Sequence, residues 1–163
     1  MARRDFHKFV IGRSERITLV DSHDNGVPAK VDTGAYRSAI HATNIVEQNN
    51  ALTFTLFGDH PVCSPMAHTM TCTDYTKVWV ANSFGNREER YEVKLRVKIG
   101  PKIFKAKFTL ADRSKKIYPI LLGRTMLNGR FLIDTDQSAI DRVQLKKEYG
   151  IDFPTDEEEG RVE

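Results

Sequence analysis

The sequence predicts an all-β domain whose short strands curl into a closed barrel with one short helix. Apolar and polar residues alternate with a period of two along much of the chain, which is typical of half-buried strands. Helical periodicity is sparse, and the best candidate is a short segment, 124–128, that closes at Gly129. A chain of many short strands joined by turns favours a barrel.

The clearest predicted element is a long antiparallel hairpin. Its first strand, 91–99, places apolar residues on one face and charged residues on the other. The turn Gly100-Pro101-Lys102 reverses the chain, and a second alternating strand follows at 104–110. The alternating lysines and arginines between 94 and 107 are interpreted as the solvated face of this hairpin.

The remaining strands are shorter and are bounded by turn residues. Asn25-Gly26 is predicted to turn one strand into the next. A stretch from Gly58 to Asp74, rich in proline, histidine, threonine and methionine, fits no strand and is expected to be a loop. A second helix is conceivable at 140–149, but its apolar spacing is poor. Strands are predicted at 8–11, 16–21, 27–31, 52–57, 77–81, 118–122 and 131–134.

Length and composition indicate a single domain. The 163 residues, 40% of them hydrophobic, suffice for one core, which we assign to 10–140 between an N-terminal arm, 1–9, and a C-terminal tail, 141–163. No apolar run approaches roughly 18 residues and no signal peptide is evident, so we expect no membrane contact and a cytoplasmic location. Two cysteines are too few for a disulfide scaffold. The net charge of +3 is small, and no nucleic-acid partner is predicted.

A carboxylate at the end of an apolar strand is the first chemical signal. Strand 27–31 stops at Asp32-Thr33-Gly34, where the glycine permits a tight turn with amides free to hold the carboxylate. An acid placed against apolar walls is costly to ionise, which suits a group that exchanges protons. Alone, this tripeptide is also compatible with an ordinary turn.

A second segment makes the signal specific. "YPILLGRTMLNGRFLID", 118–134, holds an apolar strand, Gly123-Arg124, a helical turn and a last strand. With Asp-Thr-Gly-Ala, it resembles the retroviral-type aspartic proteases, or retropepsins. Four motifs in fixed order, at 31–42, 83–90, 110–114 and 119–134, are more closely similar to a bacterial retropepsin-like family often labelled ATP-dependent zinc proteases. The chain lacks a phosphate-binding glycine loop and a His-Glu-x-x-His motif, so this label finds little support in the sequence.

The resemblance implies roles for individual residues. In the catalytic motif, Asp32 would be the acid, Thr33 would hydrogen-bond across a two-fold axis to a second subunit, and Gly34 would orient the carboxylate. Gly123 and Arg124 would be structural. A flap tip at 83–88 would cover the substrate. Tyr36 stands where retropepsins commonly carry an acidic residue, which leaves the partner of Arg124 open. Implied substrate-binding residues are Ala35, Tyr36, Arg37, Ser83, Phe84 and Gly85.

Aspartic proteolysis needs two carboxylates that share one proton and face one water. The chain holds one Asp-Thr-Gly, so Asp32 of a second copy must complete the pair in a two-fold homodimer. The family is associated with the ATP-grasp ligase RimK, which adds glutamates to a ribosomal protein. That association implies a protein or peptide substrate that is glutamate-rich or ribosomal. Separately, we expect no cofactor.

Two other functions stay open. His60, Cys63, His68 and Cys72 have a spacing that approaches a small zinc knuckle, and His41 could add a ligand, so a zinc-binding protein or metallopeptidase is one alternative. A peptide-binding module that does not hydrolyse is the other, because a fold does not fix a function. Ser38 has no evident base partner, which disfavours a serine hydrolase.

Overall fold

A computed structural model describes residues 8–21, 26–81 and 84–151 of the chain, and this part contains eleven strands and two α-helices. The strands are β1 (Phe9–Ile11), β2 (Ser14–Leu19), β3 (Val27–Val31), β4 (Ser38–Gln48), β5 (Ala51–Leu56), β6 (His68–Cys72), β7 (Tyr75–Ala81), β8 (Arg87–Ile99), β9 (Lys102–Ala111), β10 (Ile120–Leu122) and β11 (Phe131–Ile133). The helices are α1 (Arg124–Leu127) and α2 (Arg142–Tyr149).

Six strands close into a barrel, which confirms the predicted all-β class. Neighbouring strands pair in the order β10-β3-β2-β8-β9-β4, and β4 pairs again with β10 to close the ring. The barrel interior is filled by alternating apolar side chains such as Ile17, Ile40, Val97, Phe108 and Ile120. Closure removes the free edges that an open sheet would expose.

Two hairpins extend from the barrel. β4 continues beyond it and pairs with β5, and β6 adds to β5 as an edge strand. Asn49 and Asn50, with φ of 53° and 58°, form the β4–β5 turn in the left-handed conformation that a two-residue hairpin requires. β7 pairs antiparallel with the first half of β8 and forms the second hairpin.

The strand predictions agree with the structure at β3, which has the predicted bounds, and at β8 and β9, which form the predicted hairpin. Strand β4 was not among the predicted strands. Its first five residues are buried on both faces, so they show no alternation. Strand β1 pairs in parallel with β11, outside the barrel. Asn25 of the predicted Asn25-Gly26 turn lies outside the described residues.

The prediction that 58–74 forms no strand is wrong. This segment contains a single 3₁₀ turn, Ser64–Met66, and then strand β6. Two hydroxyl pairs, Thr53 with Thr71 and Thr55 with Thr69, each 3.0 Å apart, tie β6 to β5. Because β6 is an edge strand with few buried side chains, it has little of the apolar alternation that predicts a strand.

The structure contains a second helix, α2, in the stretch 140–149 where the sequence made one conceivable, although the predicted fold had a single short helix. Helix α2 buries just one of its side chains, Leu145. Its ends specify it instead: the Asp141 carboxylate accepts the N–H of Gln144 at 2.8 Å, and Gly150 ends the helix at φ 63°. The predicted tail, 141–163, thus begins with α2. Leu145 packs in a small apolar cluster with Val62, Ile117, Tyr118, Ile140 and Ile151.

No helix in the described part of the chain is long and apolar enough to span a membrane.

Candidate active site

The Asp-Thr-Gly turn follows directly on β3 and is hydrogen-bonded to β10. The N–H of Asp32 donates to the carbonyl of Leu122 at 2.9 Å, which anchors the turn to the neighbouring barrel strand. The N–H of Gly34 donates to the Asp32 carboxylate at 3.0 Å. A Cβ on Gly34 would lie 3.2 Å from that carboxylate oxygen, so a larger residue would press on it. The turn therefore both holds and orients Asp32.

Gly123 and Arg124 fix the other side of this turn. The Arg124 guanidinium donates to the carbonyls of Thr33 and Gly34, each at 3.0 Å. A Cβ on Gly123 would lie 2.5 Å from the Arg37 backbone, so glycine alone allows this close approach. The question of Arg124's partner is thereby answered: it binds backbone carbonyls of the turn instead of a carboxylate.

Ser38 belongs to the same support. Its buried hydroxyl accepts the N–H of Gly123 at 2.9 Å, and its carbonyl accepts the Thr109 hydroxyl at 3.1 Å. These bonds link the start of β4 to β9 and to the segment before α1. The Ser38 hydroxyl is thus committed to backbone support.

A cleft of about 730 Å³ opens above Asp32, between the turn and the β7–β8 hairpin. Its floor is one face of the barrel sheet, where Ala39 lies beside both Leu121 and Thr109. Trp79 on β7 lies at its wall. The lining residues that are implied in substrate binding are Ala35, Tyr36 and Arg37.

The cleft carries an excess of positive charge. Among its described lining residues are five cations, Lys30, Arg37, Arg90, Arg113 and Lys116, and two carboxylates, Asp32 and Asp112. Hydrogen bonds from Ser114 hold the pKa of Asp112 below its ordinary value, so this group stays ionised at neutral pH. Such a charge balance favours an acidic ligand.

Arg37 connects the Asp32 turn to β8. Its guanidinium donates to the carboxylate of Glu92 at 2.7 Å, and Glu92 is 7% exposed. A buried carboxylate without a cation would be costly, so this pair fixes Arg37 against β8. The ring of Tyr36 lies near two guanidinium groups, with its centroid 5.5 Å from Cζ of Arg37 and 5.8 Å from Cζ of Arg124.

The predicted flap tip falls at the end of the β7–β8 hairpin. Phe84 is 89% exposed, and Gly85 adopts φ 79°, a left-handed conformation that suits glycine. Ser83 lies outside the described residues. An apolar side chain that projects into solvent from a hairpin tip is available to contact a ligand or a second chain.

Two buried histidines pack behind the cleft, with ring centroids 5.3 Å apart. His41 accepts the N–H of Arg113 on Nδ1 at 2.9 Å, so its Nε2–H donates to Asp59 at 2.5 Å. His60 accepts the N–H of Val62 on Nδ1, so its Nε2–H donates to the Lys116 carbonyl at 2.8 Å. Burial lowers the pKa of His60 to about 4, so its ring is neutral at pH 7.

The four residues of the zinc alternative do not converge on one point. Both ring nitrogens of His60 are engaged by backbone, and Cys63 is buried in the apolar core. His68 and Cys72 lie at opposite ends of β6, where a separation of four strand residues places them roughly 13 Å apart. Within residues 8–21, 26–81 and 84–151, no group of three or more His, Cys, Asp or Glu side chains could hold a metal ion.

Several residues of this site were missed from the sequence. Glu92 was assigned to the solvated face of its strand, and Lys30, Arg90 and Lys116 were not singled out. Charge alternation gives no sign that a loop covers part of a strand. The available signal was Glu92 itself, a carboxylate between the cations Arg90 and Lys94 on the charged face of β8.

The closed barrel, the Asp-Thr-Gly turn beside Gly-Arg and the cleft under a hairpin together define a retropepsin-like protein. A model of the family described as "RimB-like: Retropepsin-like aspartic endopeptidase RimB" matches residues 10–144. The chain therefore belongs to the RimB-like family, which confirms the resemblance drawn from its motifs.

Similar proteins agree with this assignment. A solved structure of Lpg0085 from Legionella pneumophila, a protein of unknown function, has a TM-score of 0.63 and 28% identity, and the match covers 79% of this chain and 95% of that one. A relative from Desulfotalea psychrophila named "Probable alpha-L-glutamate ligase" is 30% identical over 80% of this chain and 29% of its own length. A relative of the same name from Shewanella halifaxensis is 26% identical over 89% of this chain and 33% of its own length. The chain thus spans about a third or less of these two curated relatives.

Proposed function

We propose that this protein is an aspartic peptidase that works as a homodimer, with one Asp32 from each subunit activating a shared water. The observation that carries the proposal is the position of Asp32. It lies at the floor of a 730 Å³ cleft, in a turn that the amide of Gly34 and the guanidinium of Arg124 hold from both sides. A turn fixed in this way can place a carboxylate beside a two-fold axis.

The chemistry follows from the pairing. One carboxylate, ionised, takes a proton from the water while the other, protonated, donates to the carbonyl oxygen of the scissile peptide bond. The attack forms a tetrahedral intermediate, and the leaving amine then takes a proton as the C–N bond breaks. Because one proton serves two acids, activity should be confined to an intermediate pH range.

The cleft charge supports an acidic substrate. Five cations and two carboxylates line it, and two of the cations, Arg37 and Arg90, are paired with Glu92 and Glu88. The five cations still outnumber these four carboxylates, so a segment rich in glutamate gains favourable interactions in the cleft. The name of the curated relatives refers to ligation of L-glutamate, and a glutamate-containing product would suit this cleft. We therefore propose a glutamate-rich protein or peptide as substrate, which includes a modified ribosomal protein, in the cytoplasm.

The first test replaces the catalytic acid. Asp32→Asn keeps the shape of the side chain but removes the base, so we expect hydrolysis of a glutamate-rich peptide to fall by at least about a hundredfold. Asp136→Asn, at the exposed residue that follows Asp134-Thr135, is the matched control and should keep full activity. Product formation is measured by mass spectrometry.

Mixing the two proteins tests whether both acids are needed. When wild type and Asp32→Asn exchange subunits freely in equal amounts, about one quarter of the dimers hold two intact acids. We expect activity to fall to about one quarter of that of wild type alone at the same total protein. A fall to one half would mean that each subunit acts alone. Unchanged hydrolysis by Asp32→Asn would refute the role of Asp32, and peptide binding by the wild type without hydrolysis would favour the non-catalytic peptide-binding module.

A further inference from the structure

The outer face of the β8–β9 hairpin carries a row of positive charge beyond the cleft. Residues two apart on a strand, and residues directly opposite on an antiparallel pair, share a face. By this rule Lys94 lies opposite Lys107, and Arg96 lies opposite Lys105. All of these side chains are exposed. We name the set the basic track: Lys94, Arg96, Lys98, Lys105 and Lys107.

Protection of a sheet edge explains only part of the basic track. Lysines on edge strands prevent edge-to-edge pairing, and Lys105 and Lys107 lie where β9 pairs with β8 alone, because its pairing with β4 is confined to residues 108–111. Arg96 and Lys98 lie where β8 is bonded to β9 on one side and to the end of β2 on the other, so edge protection does not explain these two cations. Two like-charge cross-strand pairs destabilise the hairpin. Asp74 bridges to Lys94 at 3.1 Å and offsets part of this repulsion. A negatively charged ligand would offset more of the repulsion between these cations.

The basic track is continuous with the cleft. Thr109 lines the cleft and shares its strand face with Lys107 and Lys105, which follow at steps of roughly 6.6 Å. Glu92 lies opposite Thr109, and Arg37 neutralises it, so no free carboxylate separates the two regions. Glu92, Lys94 and Lys107 also line a further depression of about 90 Å³. A chain that leaves the cleft across Thr109 thus meets the basic track next.

We propose that the basic track is an accessory binding site for an extended acidic polypeptide segment whose neighbouring residues occupy the cleft. An extended peptide repeats its side chains on one side every two residues, so its carboxylates have the same period of roughly 6.6 Å as the cations. The track presents no aromatic side chain on the stretch Lys94–Lys98 or Lys105–Lys107, so it offers no stacking platform for nucleic-acid bases. This proposal rests on the proposed function, because it assumes that the cleft binds the substrate. The basic track itself binds the acidic segment that extends beyond the cleft.

Binding to Asp32→Asn protein tests the site without consuming the peptide. The probe is a fluorescent peptide with about eight glutamates, which span roughly 27 Å when extended, and its affinity is measured by anisotropy. Lys105→Gln/Lys107→Gln should weaken binding about threefold to tenfold at low salt, and less at high salt. Lys115→Gln/Lys147→Gln makes the same charge change at two exposed positions outside the track and the cleft, and should leave affinity unchanged.

Two further readouts exclude a merely structural effect. A short peptide that fills only the cleft should bind both double variants equally. Thermal unfolding of Lys105→Gln/Lys107→Gln should be unchanged or occur at a higher temperature, because both like-charge cross-strand pairs are removed. Equal affinities of the two double variants for the long peptide would overturn the proposal. Displacement of the peptide by an RNA duplex at the same charge concentration would also overturn it, because the track would then be a phosphate site.

Hydrolysis separates this proposal from the proposed function. In catalytically intact protein, the track variant should raise KM for the long peptide about threefold to tenfold and leave kcat unchanged. Hydrolysis with an unchanged KM would refute the accessory site and leave the peptidase standing. If the track variant binds the long peptide more weakly than its control while the wild type hydrolyses neither peptide, the accessory site stands and the peptidase is refuted.

Discussion

Buried polar side chains near the cleft each have a partner that sets their charge. Glu92 is paired with the Arg37 guanidinium, and His60 is neutral because burial of its ring lowers its pKa. Neither of these states could be read from the sequence. Period-two alternation assigns Glu92 to solvent, yet the loop that carries Arg37 covers this point of β8. By contrast, Asp32, Gly34 and Arg124 were identified, because the motifs place them at fixed spacings from recognisable apolar strands.

The neutral state of His60 predicts a loss of stability in acid. Its pKa is about 4 when folded and 6.5 in the unfolded chain, so the unfolded state binds more protons between these values. Stability should therefore fall as pH drops from about 6.5 to about 4, by up to about 3 kcal/mol from this residue. Urea unfolding at a series of pH values measures the slope.

Variants separate His60 from the carboxylates that titrate nearby. His60→Gln has no ring to protonate, so its free energy of unfolding should depend less steeply on pH in this range. His68→Gln, at a half-buried position on β6, is the control and should keep the slope of the wild type. Identical slopes for all three proteins would contradict the role of His60.

At the scale of elements, strands with one buried apolar face or a short apolar run were predicted well. Strands whose two faces do not differ in burial or polarity were missed. β3, β8 and β9 alternate or form a short apolar run between clear turn residues. β4 is buried on both faces where it crosses the barrel, and β6 is a polar edge strand. Helix α2 depends on its capping residues more than on an apolar stripe. The missed elements thus lack the contrast on which sequence prediction depends.

The β4–β5 turn yields a prediction at this scale. Asn50 adopts φ 58°, which a β-branched residue reaches at a cost of about 1–2 kcal/mol. Asn50→Val should therefore lower the melting temperature by about 2–8 °C. Glycine adopts this conformation freely, so Asn50→Gly should keep the melting temperature of the wild type. Calorimetry of both variants measures the difference.

An asparagine in ordinary geometry serves as the control for that prediction. Asn128 is exposed and has φ of −59°, so Asn128→Val should leave the melting temperature almost unchanged. Equal losses for Asn50→Val and Asn128→Val would show that the left-handed conformation of Asn50 is not the cause.

At the scale of the whole molecule, barrel closure could not be predicted from local sequence patterns. β10 pairs with both β3 and β4, and no periodicity of these short segments indicates which strands meet. The order of four motifs supplied that information through resemblance to a family of known architecture. The fold class was therefore predictable, while the pairing of β1 with β11 and the basic lining of the cleft required coordinates.

A shared active site predicts that activity depends on protein concentration. If each subunit supplies one acid, the rate should rise with the square of concentration below the dissociation constant of the dimer and linearly above it. Initial rates over a wide dilution series, with sedimentation at the same concentrations, measure both regimes. A linear rate throughout a range in which sedimentation finds monomers would contradict a shared site.

The bonds from Leu122 and Arg124 to the Asp32 turn join segments about 90 residues apart along the chain. During synthesis the turn at residue 32 leaves the ribosome long before the segment that fixes it. A nascent chain that has not yet exposed residue 124 lacks the hydrogen bonds that orient Asp32. Amino-terminal fragments that end before residue 122 lack them as well. The Asp32 turn can therefore reach its supported geometry only after synthesis has passed residue 124.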